Sequence, residues 1–256
     1  MGRCQGWALG VLVGVFAVGA AASPIPDVSG SWVLVQVMPA LIHLPLLGRV
    51  ELTTITALFV EIEQQGRELT LHRTYCFQEV RAAPALVTTT IPDRFVASLA
   101  PDRVQAWLEE STDGWRFIQP RNIEVRGARL LDPEREPLPT DPLDPRLIDQ
   151  DGDGHPGLTI HVAMAGLLGG ETYVVNRTCS SLEGWVLGDG SIAGTIHWSS
   201  EQNVVAACDP LFLTSYAYIL DPDPAKHFFL MQRIAEPDPC RAIRESLTEL
   251  LRLPHG

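Results

Sequence analysis

"RVELTTITALFVEIE", residues 49–63, places Val50 and Leu52, then Leu58, Val60 and Ile62, at every second position, with Glu51, Glu61 and Glu63 between them. Successive side chains of an extended chain point to opposite faces, so this alternation predicts a half-buried β-strand. The neighbouring segments follow the same pattern. "SWVLVQV" (31–37) and "ELTLHRTYCF" (68–77) flank it, and "RVQAWLEE" (103–110), "GWRFIQ" (114–119), "NIEVRGARLL" (122–131), "LTIHVAMAG" (158–166), "TYVVNRTC" (172–179), "GWVLG" (184–188), "AGTIHWSS" (193–200) and "HFFLMQRIA" (227–235) continue it. Turn signals such as Asp113-Gly114 and Asp189-Gly190 separate them. So many short strands predict a mainly β fold, an antiparallel barrel or sandwich. Helix is expected in a short piece over 91–99 and in "CRAIRESLTELL" (240–251), where Ile243, Leu247, Leu250 and Leu251 share one face.

The chain has 256 residues, 46% hydrophobic and 20% charged, enough for a sizeable core. Residues 1–22 read as a secretory signal peptide: Arg3, an apolar stretch from Trp7 to Ala22, and the small run Ala20-Ala21-Ala22 before Ser23. The stretch is short and glycine-diluted for a membrane span. The expected mature chain, 23–256, is therefore one β-rich domain, secreted or periplasmic, with no membrane span. A net charge of −12 argues against nucleic acid as a partner, since phosphate binding needs basic side chains.

Export makes the cysteines readable as disulfides. Cys76, Cys179, Cys208 and Cys240 remain once Cys4 leaves with the leader, and three pairings are open to them. Cys76 and Cys179 fall in predicted strands, whereas Cys208 and Cys240 flank the C-terminal region. The expected bridges are Cys76–Cys179 and Cys208–Cys240.

A proline-rich acidic connection, 132–148, runs into "DQDGDGHPGLTI" (149–160), and the stretch 149–157 reads as a calcium loop. Asp149, Asp151 and Asp153 stand at alternate positions with Gly154 after them. This spacing turns three carboxylates toward one centre, and the carbonyl of His155 is placed to be a further ligand. Hard oxygen donors select calcium. The loop resembles those of EF-hands, dockerins, thrombospondin type 3 repeats and integrin-type FG-GAP blades. It departs from them at Ile160, where an EF-hand has its closing glutamate, and at Gly157, where an FG-GAP loop has an aspartate. A remote acid such as Asp141, Asp144 or Asp189 is expected to complete the site.

Gly30-Ser31-Trp32 is similar to the G-x-W that opens lipocalin barrels, and that resemblance implies an enclosed pocket for an apolar small molecule. His72, His161 and His197 end "LTLH", "LTIH" and "GTIH". Period-2 geometry puts them opposite the apolar face, so they are expected to face solvent rather than zinc. G-x-S-x-G, H-E-x-x-H, a Walker loop and a dinucleotide fingerprint are all absent, and no catalytic residue is named. The functional expectation is an exported calcium-binding protein with a binding or structural role. The alternatives are a lipocalin-like carrier and a secreted hydrolase without a recognisable motif.

Overall fold

The computed structural model describes residues 24–44, 48–83, 87–164, 168–209 and 217–250. The expected leader, 1–22, lies outside them, as does Leu251. The described chain is mainly β, and its strands belong to one antiparallel sheet. They are β1 (Gly30–Leu44), β2 (Gly48–Gln65), β3 (Glu68–Ala83), β4 (Val87–Thr90), β5 (Asp102–Ser111), β6 (Gly114–Arg126), β7 (Leu158–Met164), β8 (Leu168–Val186), β9 (Ile192–Ala207), β10 (Ile219–Leu220) and β11 (Phe228–Arg233). Among the described residues helix is confined to α1 (Asp93–Ser98) and α2 (Pro239–Leu250), as expected, besides a 3-10 turn at Pro224–Lys226. Among the described residues no helix is long and apolar enough to cross a membrane.

The ladder of pairings returns to its start. It runs β1–β2–β3–β5–β6–β8–β9–β11 and back to β1, so each of these strands has a partner on both sides. Toward the other end of β3 and β8, the short β4 and β7 bridge the same gap that β5 and β6 bridge below. Such a ring leaves no long unpaired edge to template aggregation. One interior cluster draws on all eight strands and forms a plug at one end, with Trp32, Leu34, Leu58, Leu71, Leu108, Phe117, Leu182, Ile196 and Phe229 among its members. Each such side chain contributes about 1.5–3 kcal/mol on burial. Trp32 donates its indole N–H to the Val28 carbonyl at 2.9 Å, and the Arg233 guanidinium lies 4.6 Å from its ring centroid. Arg233 also donates to the carbonyls of Ser29 and Asp27, both at 2.7 Å, and so ties the incoming chain under the plug.

Two local features make the ring close. Gly184 and Gly194 pair directly across β8 and β9, where a Cβ on either would come within 2.3 or 2.1 Å of a backbone oxygen. The bare backbone there also leaves room for the Phe229 ring. The segments 114–119 and 122–131, expected as separate strands, form the single strand β6, which ends at Arg126. Its register shifts between Gln119 and Asn122, and exposed Pro120, lacking an N–H, sits in that irregularity.

The outer faces are covered unevenly. Val33, Val35, Val37, Ile55, Ala57 and Cys76 face out from β1, β2 and β3 and pack beneath α2, whose Ile243 is buried among them. This decides the disulfide, and the expected pairing is corrected: Cys76 joins Cys240, with the Cα atoms 4.8 Å apart, and neither Cys76–Cys179 nor Cys208–Cys240 forms. Helix α2 crosses back over β2 and β3 rather than staying near the end of β9. Cys179, on β8, faces Arg121 of β6, and Cys208, beyond β9, accepts from the Glu171 N–H; both are free thiols. At roughly 3.3 Å per residue, the stretch of β8 between Glu171 and Cys179 separates the two by more than 20 Å. The connection 132–148 lies on the outside of β8 and β9, with Leu138 buried against Tyr173, Val175 and Val205. Arg177 donates to the carbonyls of Pro133 and Glu136 and holds it there.

Candidate functional site

The aspartate loop hangs between this connection and β7. Its ends are pinned by a parallel bridge between Asp149 and Gly157, with Gly157 N–H donating to the Ile148 carbonyl at 2.7 Å. Gly154 and Gly157 adopt φ of 90° and 88°, a region that L side chains rarely enter. The resulting curl brings one carboxylate oxygen each of Asp149, Asp151 and Asp153 within 4.8 Å of the others, an acidic cluster of the kind that holds a metal ion. Asp149 accepts from the N–H groups of Asp153 (3.1 Å) and Gly154 (2.9 Å). Asp153 accepts from the His155 N–H at 2.9 Å and from the Thr159 hydroxyl. Burial alone would raise the Asp153 carboxyl; the Thr159 and His155 donors and nearby Arg94 outweigh it and hold it below the usual range. Asp151 accepts from the Thr159 N–H at 3.1 Å through one oxygen, while its other oxygen is buried with no partner. The His155 ring stacks on Tyr173, 4.1 Å between centroids.

The remote acids expected to close this loop do not join the cluster. Asp144 is bound by Arg146, Asp189 by Ser191, and Asp141 accepts from the Leu143 N–H. A cation of the protein's own stands there instead: Arg94, on α1, reaches Asp153 at 2.8 Å and Asp151 at 3.7 Å. Three carboxylates against one guanidinium leave two negative charges uncompensated at the cluster.

A second feature lies inside the ring, above the plug. It is a cavity of about 170 Å³, bounded by β1 to β4, α1 and β6 to β9 together with Tyr218. A single water needs roughly 10–15 Å³ of such space, so the cavity is equivalent to about 11–17 waters, and covalently bonded atoms pack closer together than separate waters do. The lining is layered. Next to the plug comes a polar belt of Gln36, Thr56, Gln78, Glu124, Thr178 and Ser200, with Arg126, Asn176 and Gln202 beside them. Strand pairing places them side by side: Gln36 opposite Thr56 opposite Gln78, Glu124 opposite Thr178 opposite Ser200, and Arg126 opposite Asn176 opposite Gln202. Beyond the belt the lining turns apolar, through Ile42, Leu52, Val80, Val87, Phe95 and Ile160.

The belt contains a buried ionic network. Arg73 binds both oxygens of Asp102 and donates to Glu124 at 3.0 Å. Glu124 also accepts from the Tyr75 hydroxyl at 2.5 Å and from Arg126 at 2.9 Å, and Arg126 donates to the Gln78 amide oxygen at 3.1 Å. Burial alone would raise the Glu124 carboxyl, yet Arg126, Arg73 and the Tyr75 hydroxyl outweigh it and hold it below the usual range. Burial pushes the Tyr75 phenol up, and lifts that of Tyr218 to about 12.

The three histidines face outward as expected. His72 lies 3.3 Å from Glu63, His161 3.5 Å from Glu171, and His197 is exposed. The sequence reading identified the acidic loop but missed Arg94 and the polar belt. The chain matches no protein-family model, no curated protein and no solved structure.

Proposed function

We propose that the protein is an exported small-molecule carrier of the lipocalin type, holding its ligand in the interior cavity and a calcium ion in the loop 149–157. The observation that carries the reading is the layered cavity within a closed ring of strands. Protein interiors are packed to near crystalline density, so a void of this size with polar groups on its wall is a built feature. The disulfide between Cys76 and Cys240 fits an oxidising compartment. Calcium is supported by the three clustered carboxylates and by the buried, unpartnered oxygen of Asp151, which lacks the donor or cation that burial demands. Asp149, Asp151 and Asp153 would hold the ion, whose two charges offset those that Arg94 leaves uncompensated.

Titration with N-phenyl-1-naphthylamine, a neutral dye that brightens in apolar surroundings, tests the carrier reading. The wild-type protein should bind about one equivalent. Val174→Trp and Val204→Phe, which fill the cavity from β8 and β9, should abolish binding while keeping the strand signal in circular dichroism. Dye binding unaffected by both variants would place the dye elsewhere and refute the reading.

A further inference from the structure

The layering of the cavity carries information about what occupies it. We propose that the ligand is a neutral amphipathic molecule with a hydrogen-bond-accepting oxygen, of the ketone, ester or ether kind, set head-down against Arg126. This rests on the cavity being the binding site, as argued above. On five strands the inward side chains change in the same order. Along β2 they run Val60 and Leu58 in the plug, then Thr56 and Thr54, then Leu52; along β8, Leu182, then Ser180, Thr178 and Asn176, then Val174. Along β9 they run Ile196 and Trp198, then Ser200 and Gln202, then Val204; along β1, Leu34, then Gln36, then Met38 and Ile42; and along β3, Leu71, then Arg73, Tyr75 and Gln78, then Val80. A wholly apolar ligand would desolvate this belt without replacing its hydrogen bonds, at a cost of about 1–3 kcal/mol per buried group. A wholly polar one would meet the apolar walls beyond it.

The head group follows from the donors and the charge count. A guanidinium has five N–H donors. Arg126 gives one to Glu124 and one to Gln78, with the Tyr75 ring 4.9 Å from its centre, so donor capacity remains for a ligand oxygen. The network is already neutral, with Arg73 and Arg126 balancing Glu124 and Asp102. A carboxylate would therefore bring an uncompensated negative charge into the interior, which is expensive. A carbonyl or ether oxygen takes the spare donors without that penalty.

Competition against bound N-phenyl-1-naphthylamine at pH 7.5 tests this with decan-2-one, decane and decanoate. Decan-2-one should displace the dye at a concentration about tenfold or more below decane or decanoate, the gain expected of one hydrogen bond to a charged donor. Arg126→Met should remove that preference. Arg126→Lys, which keeps the charge beside Glu124 and, with two of its three donors given to Glu124 and Gln78, one donor for the ligand oxygen, should retain the preference, and guards against misfolding of the first variant. Equal displacement by decane and decan-2-one, or strongest displacement by decanoate, overturns the head-group assignment while leaving the cavity as a binding site. Failure of the dye to bind the wild-type protein overturns both.

Discussion

Calcium should raise the melting temperature, and the structure sets both the size of the effect and the variants that change it. On the proposed assignment the ion would bind the folded loop alone, because folding is what brings Asp149, Asp151 and Asp153 within 4.8 Å. With no fourth carboxylate in the cluster among the described residues, and Arg94 competing for two of the three, affinity belongs at the weak end, with Kd of roughly 0.1–1 mM. At ~10 mM calcium the linkage relation RT ln(1 + [L]/Kd) then gives about 1.4–2.7 kcal/mol. For a domain of this size each kcal/mol moves the transition by roughly 2–4 °C, so the expected rise is about 3–10 °C over EDTA, read by differential scanning calorimetry. Asp151→Asn, which replaces the buried carboxylate, should abolish the rise. Arg94→Gln should enlarge it: the half-exposed ion pair it removes is worth at most about 1 kcal/mol, so affinity should tighten by up to about fivefold. Magnesium, which prefers a tighter octahedron and retains its waters, should shift the transition less. Equal melting temperatures in calcium and EDTA would refute the metal assignment and leave Arg94 as the loop's resident cation.

Other consequences concern the frame around the cavity. Glu124→Gln leaves Arg73 and Arg126 without their shared carboxylate and should cost about 3–5 kcal/mol in urea unfolding at pH 7. Because the folded-state value of Glu124 is depressed, its contribution is present above the ordinary glutamate range and is lost as pH falls through the folded value. The wild-type protein should therefore lose stability in acid faster than the glutamine variant, as stability curves from pH 7 to pH 3 would show. Non-reducing peptide mapping should recover Cys76 linked to Cys240, with Cys179 and Cys208 open to alkylation; any other linkage contradicts the placement of α2. Gly194→Ala should lower the melting temperature by more than a surface substitution does, since its Cβ meets backbone at 2.1 Å, and an unchanged transition would mean that β8 and β9 separate there without cost.

Most of the strands were legible from period-2 patterning, because each buries one face against a common interior. What patterning conceals is which face that is. In "TTIT", residues 53–56, Ile55 points outward under α2 whereas Thr54 and Thr56 point into the cavity, the reverse of apolar-in and polar-out. The threonines read as a solvent face until the ring closes over them. The disulfide was hidden for the same reason: only the path of α2 across β2 and β3 brings Cys240 over Cys76, and spacing along the chain does not encode that crossing. The aspartate loop was readable because its chemistry is local, with three carboxylates and a bend within a few residues. Its counterion was not, since Arg94 lies 59 residues away and reaches the loop only through the packing of α1.

A crystal structure of the protein grown with decan-2-one decides whether the ring encloses a ligand. Difference density is expected inside the ring, with an oxygen within hydrogen-bond distance of Arg126 and the chain running toward Phe95 and Ile160. An interior filled only by ordered water, with the ketone absent or bound on the outer surface, would contradict the carrier reading.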